Sequence, residues 1–128
     1  MTFRLNNHYS REVIHRMLGG SMQAYLPNKK GVVLCACLSL DLNPKAPEVI
    51  LTGIGPQIER SAHILSRQEK PIPVFIKRGV NCWEFVGDYK FERWSDDPGE
   101  IEAHAKLANR TDITRVIHMS AVVKEGLT

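Results

Sequence analysis

The sequence predicts an α+β fold: a curved, mostly antiparallel sheet or a small β-barrel with two or three flanking helices. Three observations carry this. Five or six segments show the alternation or continuous apolar runs of strands. Two or three others show helical spacing. The two kinds do not alternate regularly, as a doubly wound parallel sheet would require. The 128 residues suit a single domain, with a core large enough to need no disulfide or metal staple.

In chain order, "SREVIHRMLGG" reads as a short helix. Ser10 can accept from the orphan N–H groups of the first turn. Val13, Ile14, Met17 and Leu18 make one apolar face, and Gly19 suits the left-handed stop. "SMQAYLPNKKG" reads as loop and short strand. "VVLCACLSL" is apolar at both alternating positions, as in a central strand covered on two faces. "DLNPKAPE" is rich in turn residues.

"VILT" is a short buried strand leading into "GIGP". Pro56 is well placed in the first turn of a helix, where its missing N–H costs nothing. Ile58, Ala62 and Leu65 then fall four and three residues apart. "PIPVFIKR" is a strand whose Pro71 and Pro73 suggest a sheet edge or the beginning of a strand. "CWEFVGDYKFERW" has Trp83, Phe85, Tyr89 and Phe91 on one face of a strand that Gly87 bends. "DPGEIEAHAKLANR" is a helix with Asp97 as N-cap, and "ITRVIHMSAVV" is a final strand.

Composition narrows the functional classes. No apolar run approaches the roughly 18 residues of a membrane span. The first ten residues lack the regions of a signal peptide, so a cytoplasmic location is expected. Residues 1–95 carry 13 Lys/Arg against 8 Asp/Glu, and residues 96–128 carry 4 against 6. The basic part could meet a polyanion or be ordinary solvated surface. Cys35, Cys37 and Cys82 read as free, buried thiols. The five histidines form no metal-ligand spacing, so no metal, no cofactor and no catalytic residues are assigned.

"GIGPQIE" invites a nucleotide-binding reading. A dinucleotide fingerprint needs a third glycine where Glu59 stands, and a P-loop needs a terminal Lys-Ser/Thr pair that is absent. The two glycines still permit a close backbone approach.

The order of "GGSMQAYLP", "VVLCACLSLD", "VILTGIG" and "IPVFIKRGVNCWEFVGDYKF" resembles the SRA (SAD/YDG) domains of the PUA-like superfamily, over residues 17–93. These domains read modified bases, and bacterial versions are often joined to HNH or other restriction nucleases. The resemblance implies a PUA/SRA-like barrel and a DNA-binding module in restriction or defence. It would flip a modified, cytosine-derived base into a pocket, its nuclease activity residing on a separate domain or partner. By position, Asp41 would bind the base edge, while Leu51 and Thr52 would line the pocket. Leu51 is not aromatic and the Tyr-Asp-Gly signature is absent, so Tyr25 or Trp83 would supply the stacking. Gly19, Gly20, Ser21 and Gln23 would form the approach loop to DNA. Lys29, Lys30, Lys77 and Arg78 would contact phosphates. Asp41 also fits a turn cap, and the aromatic residues also fit a core. Two other readings stay open: an RNA-binding PUA-like module, and a small nucleotide or modified-base enzyme using Asp41 or Cys37.

Overall fold

A computed structural model describes residues 2–123. In chain order the elements are β1 (His8–Tyr9), α1 (Arg11–Leu18), β2 (Asn28–Lys29), β3 (Val32–Val33), β4 (Ala36–Leu38) and β5 (Val49–Thr52). They continue with α2 (Pro56–Ser66), β6 (Ile72–Gly79), β7 (Cys82–Ser95), α3 (Pro98–Ala108) and β8 (Arg115–Ala121). The main sheet has the order β4-β6-β7-β8-β5, with β1 added beside β7. It is curled and mixed: β4 and β6 are parallel, and the other pairs are antiparallel. The expected curved sheet with flanking helices is therefore present, with three helices.

Local signals explain the helices. Ser10 Oγ accepts from the Val13 N–H, and Gly19 ends α1 at φ 91°. Pro56 opens α2, and Glu59 reaches back to accept the Gly55 N–H at 3.1 Å. Asp97 caps α3 by accepting from the Glu100 N–H, and Asn109 closes it in the left-handed region.

Each face of the sheet is covered. On one side α2 supplies Ala62 and Leu65, packed with Ile50, Ile72, Val74, Ile76, Ile117 and Met119. On the other, α1 supplies Ile14 over Phe75 and Phe85. Further along that side, α3 covers Val49, Leu51 and Val116. This double cover is why β4 and β5 are buried at every position.

Three sequence expectations need correction. The segment "VVLCACLSL" is not one central strand. It divides into β3, in a hairpin with β2, and β4, which ends the sheet order. Its burial comes from cover: the Cys37 N–H donates to the Tyr25 carbonyl and the Leu34 N–H to the Pro27 carbonyl. Of the two readings of Pro71 and Pro73, the edge is corrected, since β6 lies between β4 and β7, and the beginning of a strand holds, since β6 starts at Ile72. Pro73 is tolerated because it precedes the three residues that pair with β4.

The third concerns β7, whose aromatic residues do not share one face. Val74 pairs with Gly87, but Phe75 pairs with Phe85, so Val86 is an extra residue opposite β6. Gly87 holds φ 123° there. An inserted residue exchanges the two faces of a strand. Phe85 and Trp83 therefore pack on the α1 side, and Tyr89 and Phe91 on the α2 side.

Two outcomes follow. A Cβ at Gly87 would meet only ordinary contacts, so Gly87→Ala should cost the backbone strain alone, about 1–3 kcal/mol, read as a lower urea midpoint at unchanged m-value. Glu100 on α3 bonds His118 on β8 at 2.9 Å and Arg93 on β7 at 3.2 Å. The Ser95 hydroxyl first, then His118 and Arg93, hold its carboxyl down to about 2 against the opposing effect of burial. A depressed folded-state pKa stabilises above the ordinary value and is lost as pH falls through the folded value. Melting temperature should thus fall between about pH 4.5 and 2, less steeply in Glu100→Gln.

Candidate binding cleft

A cleft of about 770 Å³ opens where the β5 terminus, the first turns of α2 and the β2–β3 hairpin meet. This is within the range of small-molecule and cofactor sites. Its walls come from distant parts of the chain. Ser21, Gln23 and Tyr25 come from the loop after α1; Lys30 and Gly31 form the hairpin turn. Leu42 and Asn43 come from the loop after β4, and Leu51 and Gly53 from the β5 terminus. Gln57, Ile58, Arg60 and Ser61 line it from α2, and Arg110 and Asp112 from the loop after α3.

Each wall is fixed by identifiable bonds. Lys30 and Gly31 have φ 53° and 75°, the pair of positive values that a two-residue hairpin turn matching strand twist needs. The hairpin is docked on α2 by Asn28 Nδ2 to Ser61 Oγ at 2.9 Å. The Gln68 side chain bonds both the N–H and the carbonyl of Val33, each at 2.9 Å. Ser21 Oγ accepts from the N–H groups of Gln23 and Ala24 and shapes their loop. Asn43 Oδ1 accepts the buried Leu51 N–H at 2.8 Å.

Arg110 is the clamp of the site. Its Nε and Nη2 bond the two Asp112 carboxylate oxygens at 2.9 Å each, and its Nη1 donates to the Leu42 carbonyl at 2.9 Å. The Arg110 hydrogen bonds hold the Asp112 carboxyl below its usual range. Gly53 sits against this pair: a Cβ there would be 2.8 Å from Asp112 Oδ2. The Gly-x-Gly turn thus serves a close approach to protein, with the Glu59 carboxylate, rather than a phosphate, on the Gly55 N–H.

Tyr25 is mostly buried, and its hydroxyl donates to the Ile58 carbonyl at 2.7 Å. Burial pushes its pKa up to about 12, against the opposing pull of the neighbouring Thr52 hydroxyl and Arg115. It therefore presents a neutral ring to the cleft. Lys30 and Arg60 have no acidic partner among the described residues, so the rim carries two unneutralised cations.

The structure brings Ser21, Gln23, Tyr25, Lys30 and Leu51 together in this cleft. Thr52 is only 1% exposed and faces away from Leu51, beneath α2, with its hydroxyl beside Tyr25. Gly19 is the α1 cap, and Gly20 allows packing on Pro27, which a Cβ would approach to 2.9 Å. Lys29 is exposed on β2 beside Gly19.

Asp41, Lys77 and Arg78 lie instead in a second cleft of about 540 Å³, which shares Leu42 with the first. There Arg78 is paired with Glu84 at 2.7 Å. Trp83 packs on the α1 side, with Arg11 and Lys77 near its ring. Cys37 is buried on the same side. Among the described residues, no group of three or more His, Cys, Asp or Glu side chains could hold a metal ion. No described helix is long and apolar enough to cross a membrane.

Sequence reasoning missed Asn43, Arg60, Arg110 and Asp112. The fold alone gathers them; the helix ends at Ala108, two residues before the end of the segment read as helix, and Asn109 in the left-handed region starts the turn that carries Arg110 and Asp112.

Fold and cleft together define a small α+β protein with a cation-rimmed cleft at one end of a curled sheet. The chain belongs to the family described as Domain of unknown function (DUF6697), whose model matches residues 8–122. No curated protein and no solved structure matches it.

Gly53→Ala should destabilise the fold by about 1–3 kcal/mol through overpacking against the Arg110–Asp112 pair. Asp112→Ala on that background should recover part of the loss in urea melts, because it removes the nearer of the two atoms the new methyl strikes, the other being Arg110 Nη2 at 3.0 Å.

Proposed function

We propose that this protein is a DNA-binding module that reads a modified, cytosine-derived base by receiving it in the cleft. The observation that carries this reading is the convergence of two distant segments, Ser21–Tyr25 and Leu51–Gly53, on one cleft rimmed by Lys30 and Arg60. These are the approach loop and the Thr-Gly-x-Gly segment on which the resemblance to modified-base readers rests. Taking a base out of the stack costs a few kcal/mol, which contacts in the cleft must offset. Tyr25 and Ile58 offer apolar contact, and the Gln23 amide offers a donor and an acceptor to a base edge. Lys30 and Arg60 suit the backbone phosphates, which position a protein without conveying sequence.

The test is binding to duplexes that differ only in cytosine modification, with single-stranded RNA alongside, at two salt concentrations. One modified duplex should be preferred at least tenfold, about 1.4 kcal/mol. Gln23→Ala should reduce that preference. Lys30→Ala and Arg60→Ala should weaken all duplexes alike and lower the salt slope by about one each. Equal affinity for every duplex, or tighter binding of the RNA, would overturn the reading.

A further inference from the structure

The binding cleft is far larger than a nucleobase. Its volume is about 770 Å³. At the roughly 30 Å³ that one water takes up in the liquid, a generous share for each atom, a cytosine ring of about eight non-hydrogen atoms fills about a third of it. A methyl mark on that ring adds only one more such share. The unfilled room includes the side of the β2–β3 hairpin. A Cβ built on Gly31, in the hairpin turn, meets nothing within 4 Å.

Three side chains that line this room have hydrogen-bonding capacity left over and no task in reading a bare base. Gln57, exposed in the first turn of α2, has only its main-chain carbonyl engaged, by Ser61 Oγ at 3.0 Å; its side-chain amide bonds no described residue. Asn28 uses its Nδ2 on the Leu26 carbonyl and on Ser61 Oγ, which fixes the amide and leaves Oδ1 to accept. Ser21 Oγ accepts from two N–H groups, and its own O–H is left to donate. Asn43, Arg110 and Asp112, by contrast, are held by bonds within the wall. The free set is one amide with a donor and an acceptor, one carbonyl acceptor and one hydroxyl donor, and none carries a charge. An apolar group of matching size would strip water from all three and return no bond. A hydroxyl donates and accepts at once, so a polyhydroxylated group can satisfy the whole set.

Resting on the reading of this cleft as a modified-base site, we propose that the base it takes carries a bulky, uncharged, hydroxyl-rich substituent: a hexose joined through oxygen to hydroxymethylcytosine. The sugar and its link add about thirteen non-hydrogen atoms, and on the same generous share of roughly 30 Å³ each the whole group still fits the cleft. Gln57 meets two neighbouring hydroxyls, its side-chain carbonyl accepting from one and its NH₂ donating to the other. Asn28 Oδ1 accepts from a further hydroxyl, and the Ser21 O–H donates to a sugar oxygen. Gln23 stays on the base edge, and Lys30 and Arg60 stay on the phosphates. A methyl-sized mark leaves Gln57 and Asn28 without a ligand partner and most of the cleft to water.

The probes are duplexes carrying, at one position, cytosine, methylcytosine, hydroxymethylcytosine, carboxylcytosine or glucosyl-hydroxymethylcytosine, with free methyl glucoside as competitor. The glucosylated duplex should bind at least tenfold more tightly than the hydroxymethylated one, about 1.4 kcal/mol. Gln57→Ala should weaken the glucosylated duplex about threefold or more, and the methylated duplex by less. The Gln57 side chain holds no described part of the fold, so an unchanged urea midpoint should accompany that loss. Tightest binding of the methylated or hydroxymethylated duplex overturns the sugar and leaves the modified-base reading standing. Tightest binding of the carboxylated duplex overturns the uncharged class. Equal loss on every duplex in Gln57→Ala overturns the placement of the sugar. Equal binding of all five duplexes overturns both the sugar and the reading beneath it. Methyl glucoside that competes at the duplex's own affinity makes the cleft a site for free carbohydrate and overturns both as well.

Discussion

Strand β7 is hydrogen-bonded to β6, β8 and β1, and its two halves bury their aromatic side chains on opposite faces of the sheet. The extra residue Val86, beside Gly87 at φ 123°, produces that exchange. Without it, Trp83, Phe85, Tyr89 and Phe91 would crowd one face of the sheet. With it, Phe85 joins Phe75 beneath α1, while Tyr89 joins Ile72 and Met119 beneath α2. A second extra residue, Glu92, exchanges the faces again, so that Trp94 pairs with Ile117 and stacks on Arg115 at 4.4 Å. A sheet that must be covered on both sides is thus fed by one long strand, and its curl follows from the same irregularities.

The cleft is a consequence of how that sheet ends. β5 stops at Thr52, and the chain turns sharply into α2 because Gly53 can lie against Arg110 and Asp112. Arg110 then ties this turn to the Leu42 carbonyl, so three separate loops share one charged side chain. A cation so fully used is structural. The rim charges left over, Lys30 and Arg60, are those held on a rigid hairpin turn and a helix. That distinction separates positive charge that builds the cleft from positive charge that a polyanion could meet.

Arg11 links the two sides of the molecule. It begins α1, lies over Trp83, and fixes the carbonyls of the loop that carries Gln23 to the cleft. A polar group placed this deep is held by partners from several elements at once. Its local environment is therefore a property of the whole fold.

The helices were legible in the sequence to within a few residues, because caps are local: Ser10, Pro56, Asp97 and the stop at Gly19 act on groups within one turn. The α+β class and the curved sheet were legible too, since apolar alternation marks half-buried strands wherever they pair. The position of β4 at the end of the sheet was not, because a covered edge strand and a central strand have the same apolar pattern. Nor was the exchange of faces along β7, since one inserted residue leaves composition unchanged and shows only in the register with β6.

The site divides in the same way. Sequence order placed Gln23, Tyr25 and Leu51 in short motifs that do converge. It could not separate Asp41, Lys77, Arg78 and Trp83 from them, or find Arg60, Arg110 and Asp112. The sequence by itself determined which segments become helix or strand, because those choices depend on neighbours along the chain. The tertiary structure decided which side chains share a cleft and which cations stay free, because those depend on distances between residues far apart in the chain.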